Sequence, residues 1–173
     1  DAVKGAYGLN ILGLNVTVPY KSDVLGALAE IDPLAEKIGA VNTLVRREGG
    51  YKGYNTDISG LYRAMRSEGI KIEGEEIVLL GAGGAARAAA FLCGEKKAKR
   101  VYLLNRSPEK AGSLADEVNR AFDRECMEPM AVSDYEKLPC RPLLAIQGTS
   151  VGLHPNEEHA VIEDPEFYRR IHT

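Results

Sequence analysis

The sequence predicts an α/β protein in two parts, an N-terminal α/β region over residues 1–60 and a doubly wound, parallel-sheet region over residues 61–173. Three observations predict it. Short apolar strands alternate with helical patterns beyond Gly74. A run of small residues, Gly81-Ala82-Gly83-Gly84-Ala85-Ala86, falls between one such strand and the next helix. Two polar turn segments, Asn15-Val16-Thr17-Val18-Pro19-Tyr20-Lys21 and Gly53-Tyr54-Asn55-Thr56-Asp57, punctuate the first part.

The elements follow in order. Residues 14–18 read as a strand that ends in a proline turn carrying Lys21. From Ser22 to Ile31 the apolar residues Val24, Leu25, Leu28 and Ile31 recur at helical spacing, with Pro33 just beyond, so a helix is predicted there. Residues 41–47 and 51–54 flank Glu48-Gly49-Gly50 and read as a hairpin. Asp57 opens a helix with Ile58, Leu61, Tyr62 and Met65 on one face, which Gly69 stops. The domain boundary falls within or beside that helix. In the second part, strands at 77–80, 101–104 and 143–146 and a weaker one at 130–132 alternate with helices at 86–92 and 108–122.

Composition excludes several classes. Apolar residues make up 45% and charged residues 27% of the 173, as in a soluble globular protein. With 22 basic and 25 acidic side chains the net charge is -3, which offers no broad basic face to nucleic acid. No apolar stretch approaches the roughly 20 residues of a membrane span. Cys93, Cys126 and Cys140 are scattered, and His154, His159 and His172 lack the spacing of a helical metal site, so neither a disulfide framework nor a metal is expected. A reducing cytoplasm is the expected setting. The start, Asp1-Ala2-Val3-Lys4, reads as a position inside a domain.

A strand–glycine turn–helix context raises the G-x-G-x-x-A run above chance. Glycine lets the backbone approach a pyrophosphate, and the N–H groups at the helix start stabilise its charge. Dinucleotide sites selective for NAD carry an acid about 20 residues on, at the end of the second strand. Here that strand ends in Asn105-Arg106-Ser107, without a carboxylate. A guanidinium at that point pairs with a 2′-phosphate, so NADP is expected rather than NAD. Lys21 and Asp57, taken singly, read as a solvated charge and a helix cap, but Thr17, Asn42, Thr43, Asn55 and Thr56 share the same kinds of turn and strand end.

These segments together resemble the shikimate dehydrogenase family. Asn15 to Lys21 is similar to the family's lysine motif, and Gly39-Ala40-Val41-Asn42-Thr43 and Gly53 to Asp57 to its substrate-side motifs. Gly81 to Ala86 is similar to its cofactor turn, Asn105-Arg106-Ser107 to its NADP-selecting segment, and Gln147-Gly148-Thr149-Ser150-Val151-Gly152 to a later cofactor-side loop. The resemblance implies an incomplete N-terminal α/β substrate domain followed by a Rossmann-type doubly wound parallel-sheet NADP-binding domain. It implies reversible NADPH-dependent reduction of 3-dehydroshikimate to shikimate, toward chorismate and the aromatic amino acids. Lys21 and Asp57 would be the catalytic pair, and Thr17, Asn42 and Asp57 would bind substrate. Gly81, Ala82, Gly83, Gly84, Ala85, Ala86, Asn105, Arg106, Ser107, Thr149 and Ser150 would bind NADP.

The sequence departs from the family pattern in places. The family's serine-bearing opening stretch and its final glutamine-bearing helix are not found, so both ends are expected to be missing. Gln147 stands where the family usually has asparagine, and Leu153 where methionine or isoleucine is common. Two other readings stand beside the leading one: a quinate/shikimate dehydrogenase using NAD or NADP, and a noncatalytic metabolite sensor on the same fold. A methylene-tetrahydrofolate dehydrogenase fits the Asn-Thr-Asp and Asn-Arg-Ser segments poorly. The expected partners are small molecules, with no nucleic acid and no membrane, and a homodimer is compatible with the sequence.

Overall fold

Two separate sheets carry the chain, one in each of the units Asp1–Leu61 and Tyr62–Thr173. The computed structural model describes residues 2–17, 19–154 and 157–173.

The first unit contains α1 (Ala2–Gly8), β1 (Gly13–Asn15), a 3-10 turn (Asp23–Ala27), β2 (Glu30–Ile31), α2 (Pro33–Ile38), β3 (Thr43–Arg47) and β4 (Gly50–Tyr54). Its sheet has the order β1-β3-β4-β2. β3 and β4 form the expected antiparallel hairpin, registered from Thr43 opposite Tyr54 to Arg47 opposite Gly50. β1 runs antiparallel to β3, and β2 parallel to β4. Ala6, Val24, Ala35, Val41, Leu44 and Tyr51 form the core. α1, which the sequence did not lead us to expect, contains glycine and has little intrinsic helical strength. Tertiary contact holds it: the Tyr7 ring meets Tyr51 edge-on at 5.7 Å, and the Arg46 guanidinium lies 3.7 Å above Tyr7.

The predicted helix over Ser22–Ile31 is replaced by the 3-10 turn and β2. Leu28 adopts an extended conformation, Ala29 N–H donates to the Tyr51 carbonyl at 3.0 Å, and Asp32 N–H to that of Gly53 at 2.9 Å. Sheet pairing along β4 thus outcompetes the helical pattern. Pro33, read as a stop, is instead the first residue of α2. Asp32 caps that helix by accepting from the N–H groups of Leu34 at 3.1 Å and Ala35 at 3.4 Å. The strand expected over 14–18 is shorter, Gly13–Asn15, and its last residue, Val18, lies outside the described residues.

α3 (Thr56–Ser67) runs across the division between the units. The second unit then contains β5 (Glu76–Leu80), α4 (Gly84–Glu95), β6 (Arg100–Asn105), α5 (Pro108–Phe122), β7 (Met127–Ala131), a 3-10 segment (Val132–Lys137), β8 (Leu144–Gln147) and α6 (Pro165–Tyr168). All four strands are parallel, in the order β7-β6-β5-β8. The connection reverses direction across the sheet between β5 and β8, and ligands in open α/β sheets bind at that kind of point. Val78, Leu80, Tyr102 and Leu104 share one face and pack with Leu138, Leu143, Ile162 and Phe167. Ile77, Leu79, Val101 and Leu103 on the opposite face are also fully buried, as expected for strands covered on both sides. The weak strand expected at 130–132 starts earlier, at Met127, and Val132 already belongs to the 3-10 segment. Pro129 obscured it in the sequence; on this edge strand a missing N–H is tolerated.

Candidate active site

In the first unit, backbone pairing gathers three polar residues. Val41 N–H donates to the Lys21 carbonyl at 2.8 Å, which ties the lysine turn to the residue before Asn42. Asn42 N–H donates to Tyr54 O at 2.9 Å, at the end of β4, just before α3 begins. The side chains then meet. Lys21 Nζ donates to Asp57 Oδ2 at 2.7 Å, and Asn42 Nδ2 to Asp57 Oδ1 at 2.8 Å. Both carboxylate oxygens therefore hold a donor, the arrangement that suits an ionised carboxylate.

Asp57 is free for this because it does not cap its own helix. Asn55 does: its Oδ1 accepts from Asp57 N–H at 3.1 Å, while its Nδ2 donates to Ala40 O at 3.2 Å. The expectation of a cap at Asp57 is corrected by that geometry. Asn42 is the hub. Its Oδ1 accepts from Thr56 N–H at 2.9 Å, Thr56 Oγ1 at 3.1 Å and Thr43 Oγ1 at 3.0 Å. These donors hold the amide with its NH2 toward Asp57, so one Nδ2 hydrogen is left to donate to a ligand. Thr17 is exposed, and its hydroxyl has no hydrogen-bond partner among the described residues.

In the second unit a crevice of about 970 Å³ opens at the ends of β5 and β8. Gly81 to Ala85, Asn105, Arg106, Thr149 and Ser150 line it. Gly81 has φ +107°, and a Cβ there would stand 2.8 Å from Thr149 Cγ2, so both the turn and the close approach call for glycine. Gly83 precedes α4 without any side-chain cap, and the first intrahelical bond recorded at this end runs from Arg87 N–H to Gly83 O at 2.8 Å. The N–H groups before it have no partner within the helix, which is what an anionic ligand requires. Arg106 is exposed and has no ion-pair partner among the described residues. Asn105 Nδ2 donates to Ser107 O at 3.0 Å and shapes the turn that carries Arg106. Ala86 is buried and Ser107 stands at the N-cap of α5; neither lines the crevice.

The family whose description reads "shikimate dehydrogenase substrate binding domain" matches residues 1–44, and "shikimate / quinate 5-dehydrogenase" matches residues 63–134. The chain belongs to the shikimate dehydrogenase family. It is 42% identical over 160 residues to shikimate dehydrogenase (NADP(+)) of Methanothermobacter thermautotrophicus, a match covering 91% of this chain and 55% of that protein. Shikimate 5-dehydrogenase from Listeria monocytogenes, solved with shikimate and NAD, superposes with a TM-score of 0.88 at 29% identity, over 96% of this chain and 60% of that one. Quinate dehydrogenase from Corynebacterium glutamicum, solved with NAD, gives 0.85 at 28% identity over 94% and 57%. The chain spans a little over half the length of the curated relatives it matches.

Within this family member, motif reading located the residue types but passed over the braces. Gln147 and the carbonyl of Val151 hold the loop after β8, and Val132, His159 and Val161 complete the crevice wall. The sequence marks Gln147 only as a departure from the family's usual asparagine; its role as a brace appears only with the loop's fold. Among the described residues there is no group of His, Cys, Asp and Glu able to hold a metal, and no helix is long and apolar enough to cross a membrane.

Proposed function

We propose that the intact protein is an NADP-dependent oxidoreductase that reversibly reduces 3-dehydroshikimate to shikimate, in the supply of chorismate for aromatic amino acids. The observation that carries this reading is the Lys21–Asp57 pair at 2.7 Å, held from the other side by Asn42. When bound, NADPH supplies the hydride that reaches the substrate carbonyl carbon. Lys21 Nζ donates a proton to the carbonyl oxygen and, while cationic, stabilises the negative charge developing there. Asp57 keeps the ammonium in place. Its carboxylate and the remaining Asn42 hydrogen bind the substrate hydroxyls, and the exposed Thr17 hydroxyl meets the substrate carboxylate. In the reverse direction Lys21 accepts the proton as hydride leaves.

The choice of NADP is supported by the lack of an acid at the end of β6 and by Arg106, which has no ion-pair partner among the described residues and whose guanidinium suits a 2′-phosphate. Gly81, Ala82, Gly83, Gly84 and Ala85 would surround the pyrophosphate, with Ala86 and Ser107 supporting that wall and Thr149 and Ser150 closing it. On this reading the partners are substrate and cofactor in the cytoplasm, with homodimerisation left to light scattering. Quinate preference and noncatalytic sensing are not favoured, since the curated relatives carry the name shikimate dehydrogenase (NADP(+)).

The test is NADPH oxidation by the full-length protein with 3-dehydroshikimate, beside Lys21→Ala. The expected result is turnover in the parent and a loss of about 100-fold or more in kcat in the variant, the usual worth of general acid–base catalysis. Faster NAD-dependent oxidation of quinate than NADP-dependent oxidation of shikimate would reverse the assignment, and unchanged turnover in Lys21→Ala would remove the mechanism.

A further inference from the structure

Gln147 ends β8 with its side chain exposed, yet both ends of its amide are engaged. Nε2 donates to the Val151 carbonyl at 2.9 Å, and Oε1 accepts from the Thr149 hydroxyl at 3.1 Å. Thr149 Oγ1 in turn accepts from Val151 N–H at 3.1 Å, which closes a ring of bonds through Gln147, Thr149 and Val151. The inner side of the same loop has no slack. A Cβ on Gly148 would stand 2.7 Å from Ala86 Cα, so this backbone already rests against the start of α4. Gly148 N–H also donates to Leu80 O at 2.8 Å, on the strand that leads into the glycine turn.

We propose that Gln147 is a positioning residue for the dinucleotide crevice: its amide clamps the 148–151 loop against the glycine turn in the shape that receives the cofactor. This rests on the cofactor reading above. Because the Thr149 hydroxyl proton is used inside the loop, Ser150 and the loop backbone are what the clamp presents to the ligand. The clamping bonds are solvent-exposed and span only five residues, so they add little to global stability. Their effect falls on binding instead, because a loop released from the clamp must be ordered again each time the cofactor enters.

The experiment uses the full-length protein with Gln147→Met, which keeps the side chain's length and removes both amide bonds, together with Thr149→Val and the double variant. Fluorescence titration with NADPH reads Kd, steady-state assays separate kcat from KM, and thermal unfolding reports folding. The expected result is a Kd for NADPH raised about fivefold in Gln147→Met, with the KM for shikimate unchanged and the thermal midpoint held. The double variant then weakens binding by less than the product of the two single effects, since both substitutions break the same ring. A Gln147→Met protein that binds NADPH as tightly as the parent overturns the inference, and so do independent, multiplicative effects. A parent that binds no nicotinamide dinucleotide instead overturns the cofactor reading, and this inference with it.

Discussion

Asp57→Asn preserves shape and removes charge, and the geometry around it predicts a sharp separation between stability and catalysis. In the parent both carboxylate oxygens accept, from Lys21 Nζ at 2.7 Å and from Asn42 Nδ2 at 2.8 Å. An amide supplies one acceptor and one NH2, so its NH2 must face either the ammonium or the Asn42 NH2. Asn42 cannot turn over to relieve this, because three donors from Thr43 and Thr56 already point at its oxygen. The side chains of Lys21 and Asp57 are 29% and 44% exposed, so water screens what is lost. The stability cost is therefore that of a surface pair, about 0–1 kcal/mol, or roughly 2–4 °C in Tm at most. The catalytic cost is larger. An undirected ammonium forfeits most of the acid–base contribution, about 10³-fold in kcat, which is roughly 4 kcal/mol of transition-state stabilisation. The assay is kcat for NADPH oxidation with 3-dehydroshikimate on the full-length protein, with the thermal midpoint measured on the same sample. A kcat within about threefold of the parent, or a loss of activity that simply tracks unfolding, would refute the argument.

Four further outcomes are expected. Gly148→Ala puts a methyl 2.7 Å from the Ala86 backbone, so it lowers stability by about 1–3 kcal/mol and weakens NADPH binding; a denaturation midpoint equal to the parent's would contradict the packing. Arg106→Ala lowers the preference for NADP over NAD by roughly tenfold, read as the ratio of the two kcat/KM values, and an unchanged ratio would exclude a 2′-phosphate role. For Glu76, burial pushes the carboxyl up, but hydrogen bonds from Lys99 and Arg141, with their charges, outweigh it and hold it below its ordinary 4.5. Its contribution is thus fully present above about pH 4.5 and disappears as pH falls through the lower folded value. Glu76→Gln accordingly lowers the unfolding midpoint clearly at pH 7 and by progressively less as pH falls below about 4.5, and a loss that stays constant down the acid range would be contrary to the ion-pair account. Burial, followed by the neighbouring Cys126, pushes the Cys93 thiol up to about 12, and burial also raises Cys126, whereas Cys140 is exposed. In the native protein a thiol reagent at pH 8 should modify Cys140 alone, as mapped by mass spectrometry; modification of Cys93 at a comparable rate would count against the buried core.

Much of the second unit was legible because its strands are unambiguous. Ile77 to Leu80 and Val101 to Leu104 are short apolar runs buried on both faces, and the glycine turn between them leaves few conformations to consider. The first unit was harder to read. Val24, Leu25, Leu28 and Ile31 have helical spacing, but a 3-10 turn followed by an edge strand also carries all four inward, and only the bonds to Tyr51 and Gly53 decide between the two. Pro33 shows the same limit: beyond an apolar run a proline reads as a stop, yet Asp32 before it makes it a start. Asp57 taken singly reads as a cap because carboxylates favour that position, whereas its motif places it with Lys21, and only the fold reveals that Asn55 has taken the cap.

The two clusters share a construction that motif reading does not reach. In each, the exposed groups proposed to meet a ligand are held by an amide whose own bonds are made to the framework. Asn42 is locked by Thr43 and Thr56 and in turn directs Asp57; Gln147 is locked by Thr149 and Val151 and directs the loop after β8. Amides suit this task because they carry donor and acceptor at opposite ends, so a neighbour that occupies one end fixes what the other offers. A carboxylate or an amine in the same place offers only one kind of bond and sets no direction. The information that turns a lysine and an aspartate into a candidate catalytic pair therefore resides in residues whose partners are distant in sequence, 14 positions away for Asn42 and Thr56. Composition and spacing can name the reacting groups, but the fold is needed to show why their orientation is fixed before any ligand arrives.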